Sequence, residues 1–155
     1  MAIAPGETTR DAQQSPAISL PDSWSSSRFQ AKQVLQATSR TRTLLGEDRD
    51  AGDAVIIKTV RTDALSRAAK TRLEYETSIR QQLDSPSLAP VRNYGEEAGE
   101  FYVVLPHISG TALRDRLQRG PLSVAETLQL GKALFSGLRD LHQSGGLHRD
   151  VKPDN

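Results

Sequence analysis

Cysteine is absent from this chain of 155 residues, which excludes disulfide bonds and thiolate metal sites. Its three histidines, His107, His142 and His148, fall in no H-E-x-x-H or comparable ligand spacing, so a histidine-held zinc centre is not expected either. Aromatic residues make up only 5%, and the formal net charge is +1, from 20 basic against 19 acidic side chains. That balance offers neither a basic face for nucleic acid nor a polybasic patch for an anionic membrane. No apolar run approaches the ~20 residues that a membrane span requires. The first residues also lack the apolar stretch of a secretory signal, so a cytoplasmic location is expected. Two catalytic signatures are missing as well: the G-x-x-x-x-G-K-[ST] phosphate loop and the G-x-S-x-G elbow of a serine nucleophile.

What is present begins with a change of composition. Residues 1–27 are rich in Ser, Pro, Gln, Thr and Asp, with too few apolar positions to offset the entropy of ordering, and read as a flexible leader. Trp24, flanked by serines, carries enough apolar area to dock on the folded part or on a partner. From Arg28 onward, short apolar runs follow one another: Val34-Leu35, Thr43-Leu44-Leu45 and Ala54 to Val60, punctuated by Gly46 and Gly52. These predict three antiparallel strands. Thr62-Asp63 then supplies a cap for a helix starting near Ala64 and running to about Leu83, before Pro86.

Within that helix, Leu65, Ala69, Leu73, Ile79 and Leu83 fall in one arc at ~100° per residue, and Glu76 lies inside the same arc. A carboxylate in an apolar stripe needs a cation from a facing element, because an unpaired buried charge costs several kcal/mol. Lys58, on the third strand, is the candidate. Two further strand-like runs, Leu88 to Tyr94 and Glu100 to Leu105, flank the turn-rich Gly95 to Gly99. Thr111 to Gln118 predicts a short helix. Ser123 and Glu126 form a capping box ahead of a longer one, in which Leu130, Leu134, Leu138 and Leu141 recur at helical spacing as a core stripe.

The chain closes on His148-Arg149-Asp150-Val151-Lys152-Pro153-Asp154-Asn155, which gathers a base, two cations and a metal-binding amide into one short loop. Such a set suits phosphoryl transfer, whose loose and highly charged transition state mainly needs positioning and charge compensation. The octapeptide resembles the catalytic loop of the eukaryotic-type serine/threonine protein kinases, also found in bacteria, which runs H-R-D, four residues, then N. The strand Val55-Ile56-Ile57-Lys58 resembles the V-A-I-K run of the same family, whose lysine pairs with a glutamate of the next helix, here Glu76.

The resemblance implies an α+β fold: a small lobe of five antiparallel strands and one helix over residues 28–105, followed over residues 106–155 by a hinge and the first helices of a large lobe that is incomplete here. It implies ATP and Mg2+ as cofactors and a protein Ser or Thr as acceptor. Asp150 would accept the hydroxyl proton, Lys152 would steady the γ-phosphate, and Asn155 would hold one Mg2+. Lys58 would orient the α- and β-phosphates, with Glu76 holding Lys58. Arg149 would pair with a phosphate on a later loop. Leu105 would stand behind the adenine as gatekeeper, and His107 and Ser109 would offer backbone groups to its edge.

The chain departs from the family at the glycine-rich loop. Counting back from Lys58, Ala37 and Ser39 stand for the first two glycines, Arg42 for the third and Leu44 for the following valine. Without glycines, backbone amides approach phosphate less easily, while Arg40 or Arg42 can supply charge instead. Ile56, in place of the small alanine, would crowd the adenine. The D-F-G aspartate and activation loop lie downstream in the family, as do any further signalling domains. Two functions follow as expectations: an ATP-dependent serine/threonine kinase, inactive in this stretch alone, or a nucleotide-binding pseudokinase acting as a scaffold.

Overall fold

The computed structural model describes residues 24–153. Nine elements are held in one chain order: β1 (Phe29–Ala37), β2 (Thr41–Asp48), β3 (Ala54–Arg61), a single 3-10 turn (Thr62–Ala64), α1 (Arg67–Gln82), β4 (Asn93–Glu97), β5 (Glu100–Pro106), α2 (Leu113–Gln118) and α3 (Val124–Gln143). The strands form one antiparallel sheet in the order β1-β2-β3-β5-β4. The expected small lobe is therefore present, with five strands and one helix.

Residues opposite one another in an antiparallel pair share a face, so the register divides the sheet into two surfaces. Val55, Ile57 and Thr59 of β3 share one face with Leu44 of β2 and Val104 of β5. Ile56, Lys58 and Val60 share the other with Leu45, Thr43, Leu105, Val103 and Phe101. Helix α1 lies on the Lys58 face, where its Lys70 pairs with Glu96, the residue opposite Phe101.

The best-buried cluster lies on the face away from α1 and is built from Trp24, Phe29, Leu44, Val55, Ile57 and Val104. Trp24 is only 3% exposed, and its ring meets Tyr102 edge-on at 5.0 Å between centroids. Trp24 to Ser27, assigned from composition to the flexible leader, thus belongs to the folded part: Ser25 bridges Gln30, and Ala31 N donates to Trp24 O at 3.0 Å. One indole supplies the apolar area that the surrounding serines lack. Residues 1–23 of the leader lie outside the described residues.

Two boundaries differ from expectation for local reasons. Helix α1 begins at Arg67 rather than near Ala64, with Ser66 as its cap; Ser66 Oγ accepts from Ala69 N at 3.2 Å. Thr62 does not cap because its hydroxyl donates to Gly99 O at 2.8 Å, and Asp63 is taken by Arg61. The fourth strand starts at Asn93 rather than Leu88, since residues 85–88 dock on α3 instead. Ser85 Oγ donates to Asp140 Oδ2 at 2.7 Å. A Cβ on Gly137 would meet both Leu88 Cδ2 and Ser87 O at 3.1 Å, so the glycine leaves room for that segment to seat.

The capping box of α3 forms as expected: Ser123 Oγ accepts from Glu126 N, and the Glu126 carboxylate accepts from Ser123 N at 2.7 Å. Its leucine stripe is only partly covered. Leu141 is buried, Leu130 and Leu134 are exposed, and so are Leu128 and Phe135 beside them. Among the described residues no helix is long and apolar enough to cross a membrane.

Candidate active site

Three elements converge on the Lys58 face of the sheet. Strand β3 presents Lys58, with Thr43 and Val103 on either side of it in register. Helix α1 presents Glu76 and Arg80 one turn apart. The loop after α3 presents His148, Arg149, Asp150 and Lys152.

That loop is positioned from both ends. At its start, Gly145 ends α3 at φ +79°, a left-handed conformation suited to glycine, and Gly146 N donates to Leu141 O at 2.9 Å. Gly146 is packed so tightly that a Cβ would lie 2.6 Å from Leu141 Cδ1. At its far end, Arg114 N of α2 donates to Pro153 O at 3.2 Å. Between these anchors Arg149 takes φ +61°, an uncommon conformation for a residue with a Cβ. Asp150 and Lys152 form an exposed ion pair, Lys152 Nζ to Asp150 Oδ2 at 2.8 Å. Asn155, assigned the metal-binding role from its motif, lies outside the described residues.

The electrostatics tie the strand to the loop. Lys58 is exposed on its strand, yet partial loss of hydration lowers the pKa of its ammonium from the ordinary lysine value. The positive charges of Arg80 and Lys152 push in the same direction, and Asp150 pushes against it. The charges of Asp150 and Lys152, on the loop, thus act on Lys58, on the strand. Burial also lowers the Arg80 pKa. The sequence reading missed Arg80; its place one helical turn after Glu76 is the signal that marks it, since positions four apart share a helix face.

Glu76 reaches the same region, but Lys58 is not its partner. Its Oε1 lies 2.9 Å from Arg72 Nε, one turn back on α1, and 3.3 Å from Arg149 Nη1. The expected Lys58–Glu76 ion pair is thereby corrected: the carboxylate does find a cation from a facing element, and that element is the loop. A cavity of about 90 Å³ lies beside it, lined by Glu76, Arg80, Leu141 and His148 among others.

The pairing of β2 with β3 corrects the positions counted back from Lys58. Thr43 stands opposite Lys58, and Leu45 stands opposite Ile56. Leu45, Ile56 and Leu105 thus form one apolar strip on the Lys58 face. Leu44 points the other way and is 1% exposed in the far-side core. A slip of one residue moves a side chain to the opposite face. Arg42 shares the fate of Leu44: it is 6% exposed and pairs on the far face with Glu100, so it is not a substitute cation for phosphate. Ala37 stands opposite Arg42 on that same side. Ser39 sits with Arg40 in the turn between β1 and β2. In the hinge, His107 and Ser109 are exposed, and the His107 N–H already donates to Ala54 O at 3.1 Å, which removes it as a donor for an adenine edge.

Residues 30–155 match the family described as protein kinase domain. Similar curated proteins include the serine/threonine-protein kinase PknD of Mycobacterium tuberculosis, 37% identical over 87 residues, covering 56% of this chain and 13% of that protein. Another is the serine/threonine-protein kinase PrkC of Bacillus subtilis, 30% identical over 132 residues, covering 84% of this chain and 20% of that protein. Among solved structures, the kinase domain of Mycobacterium tuberculosis PknI matches with a TM-score of 0.74 at 24% identity, over 89% of this chain and 58% of that one. The chain spans 13% to 20% of the length of these two curated relatives.

Proposed function

We propose that this chain, which belongs to the protein kinase domain family, carries the nucleotide-facing part of a serine/threonine protein kinase that transfers the γ-phosphoryl group of Mg-ATP to a protein hydroxyl. The observation that carries the reading is that the loop bearing Asp150 and Lys152 is joined to α1, on the Lys58 face of the sheet, through Arg149 Nη1 and Glu76 Oε1 at 3.3 Å. The same reading makes the complete protein a cytoplasmic signalling protein, acting on Ser or Thr of protein partners and carrying further domains downstream.

The residues present fit the nucleotide and its metal in part. The strip of Leu45, Ile56 and Leu105 offers an apolar surface for a planar base, and the cations beside it suit phosphates. Bound Mg-ATP supplies the phosphoryl group and much of the charge compensation. Lys58 then binds phosphate oxygens, and Lys152 offsets charge beside the acceptor. Asp150 holds the acceptor hydroxyl and takes its proton at a carboxylate oxygen while the new P–O bond forms and the bond to the bridging oxygen of the leaving diphosphate breaks. The pairing of Lys152 with Asp150 at 2.8 Å keeps both groups on the same side of the cleft. Asn155 is assigned to the metal from its motif alone.

One observation favours a second reading, that of a nucleotide-binding scaffold without transfer activity: Glu76 is engaged by Arg149 and Arg72 rather than by Lys58. The residues that follow Asn155 discriminate, since a D-F-G aspartate belongs to the enzyme reading. In the complete protein, Lys58→Met and Asp150→Asn should each abolish phosphorylation of a generic protein substrate while leaving the circular dichroism unchanged. Activity that survives both substitutions ends the kinase reading.

A further inference from the structure

The hairpin that joins β1 to β2 turns at residues 38–40, beyond the Thr43–Lys58 pair, at the end of the apolar strip where Lys58 would meet phosphate, and its tip contains no glycine. The tip is closed by a single side chain. Thr38 Oγ1 accepts from Arg40 N at 3.2 Å and from Thr41 N at 3.0 Å. The same hydroxyl lies 2.9 Å from Thr41 Oγ1 and 3.4 Å from Thr41 O, while Thr38 N donates to Thr41 O at 2.8 Å. Arg40 O in turn accepts from Arg61 N at 2.9 Å, which fixes the tip to the end of β3.

A loop that cradles phosphate does so with backbone N–H groups that have no other acceptor. Here two of the tip's N–H groups already have one, and it belongs to the loop itself. Threonine hydroxyls close turns in this manner by bonding backbone amides two and three residues on. To offer those amides to a phosphate the turn must first break two hydrogen bonds and reopen, which offsets much of what the new contacts contribute. The usual substitute is a side-chain cation: Arg42 is held on the far face by Glu100, which leaves Arg40, exposed in the turn itself, as the side-chain charge that the hairpin can offer.

We infer that Thr38 is a specificity-determining residue: by capping the amides of Arg40 and Thr41 it withholds the hairpin's backbone donors from phosphate, so that the preference for ATP over adenosine rests on side-chain cations alone and is weaker than those amides would make it. The inference rests on the nucleotide-binding reading above and deepens it. It concerns a hydroxyl that replaces what glycine flexibility supplies elsewhere, so it is specific to this hairpin.

The test is calorimetric titration of the full chain with adenosine, ADP and ATP, each in the presence of Mg2+, for the wild type and for Thr38→Val and Thr38→Ser. Valine keeps the shape and removes the hydroxyl; serine keeps the hydroxyl. The wild type and Thr38→Ser should show the same preference for ATP over adenosine. Thr38→Val should raise the preference for ATP about tenfold, the size expected for amides newly free to bond a charged group, with adenosine affinity unchanged. In parallel, amide hydrogen exchange at Arg40 and Thr41 should be slow in the wild type and in Thr38→Ser, and fast in Thr38→Val. Adenosine binding with an ATP preference that ignores the valine substitution overturns the role of Thr38 alone. Absence of any binding by adenosine and ATP overturns the nucleotide reading and this inference with it.

Discussion

Glu76 Oε1 lies 3.3 Å from Arg149 Nη1, so the carboxylate on α1 is joined to the arginine of the loop after α3 instead of to Lys58 on its strand. Both partners are partly exposed, and a pair of this kind contributes about 0–1 kcal/mol. Its importance is positional, because Arg149 and Lys58 compete for one carboxylate. Arg149→Met leaves Arg72 as the partner of Glu76; with Arg72→Met added, Glu76 becomes free to turn toward Lys58 and the Lys58 pKa should rise. Glu76→Gln alone should leave it where it is, since Glu76 is not among the charges acting on Lys58. NMR titration of the Lys58 side chain reads both outcomes, and a drop in the Lys58 pKa on Glu76→Gln would show a direct pair.

Arg42 and Glu100 form the buried counterpart on the far face of the sheet. Arg42→Met should leave the Glu100 carboxylate, 7% exposed, without its partner and cost about 3–5 kcal/mol. Adding Glu100→Leu should recover much of that loss, because contacting residues are not additive. Urea denaturation of the two single variants and the double variant measures the coupling. Nucleotide affinity should not change in any variant that remains folded.

Acid should loosen the start of α3 in a defined window. The Ser123 backbone N–H, followed by the Arg116 guanidinium, pushes the Glu126 pKa down from 4.5 to about 2. A carboxylate whose folded pKa is depressed contributes stability that is fully present above the unfolded value, and that contribution is lost as pH falls through the folded one. Glu126→Gln should therefore lower the melting temperature at pH 6, and the difference from wild type should close between about pH 4.5 and 2. Thermal melts by circular dichroism across that range test it; a difference that persists at pH 2 counts against the carboxylate as its source.

The uncovered side of α3 gives a fourth expectation. Leu128 is 61% exposed and Phe135 is 72% exposed, and the two frame an open apolar groove with Gly131 and Leu138 nearby. A patch of this kind favours association, so the 155-residue chain should sediment as more than a monomer. Phe135→Glu combined with Leu128→Lys should restore the monomer. A wild-type chain that is monodisperse and unfolds sharply overturns this.

Most of what could be read from the sequence was local. The octapeptide from His148, the strand ending in Lys58 and the Ser123–Glu126 capping box each depend on residues within a few positions of one another. The five strands and one helix followed from short apolar runs, turn residues and a helical arc, and the α+β plan from the family resemblance. What escaped was decided between elements. The helical arc placed Glu76 toward a cation, but whether that cation was Lys58 or Arg149 depends on where the loop after α3 is carried by Gly145 and Gly146. Counting assigned Leu44 and Arg42 to the ligand face, whereas the pairing of β2 with β3 assigns Leu45 and Thr43. Thr62 looked like a helix cap until Gly99 supplied its hydroxyl with another acceptor. Trp24 was hidden by the polar residues around it.

Gly137 receives Leu88 at the rear of the cleft, and Ser85 is tied to Asp140 alongside. The segment that leads toward β4 is therefore pinned to α3, while the β1–β2 tip, closed by Thr38, is tied to the end of β3 through Arg40 O and Arg61 N. Movement of the sheet relative to α3 would turn about the seat of Leu88 on Gly137 and would be felt at the Thr38 hairpin. A bulkier residue at Gly137 would act as a wedge at the axle and would alter the reach of the tip without touching it.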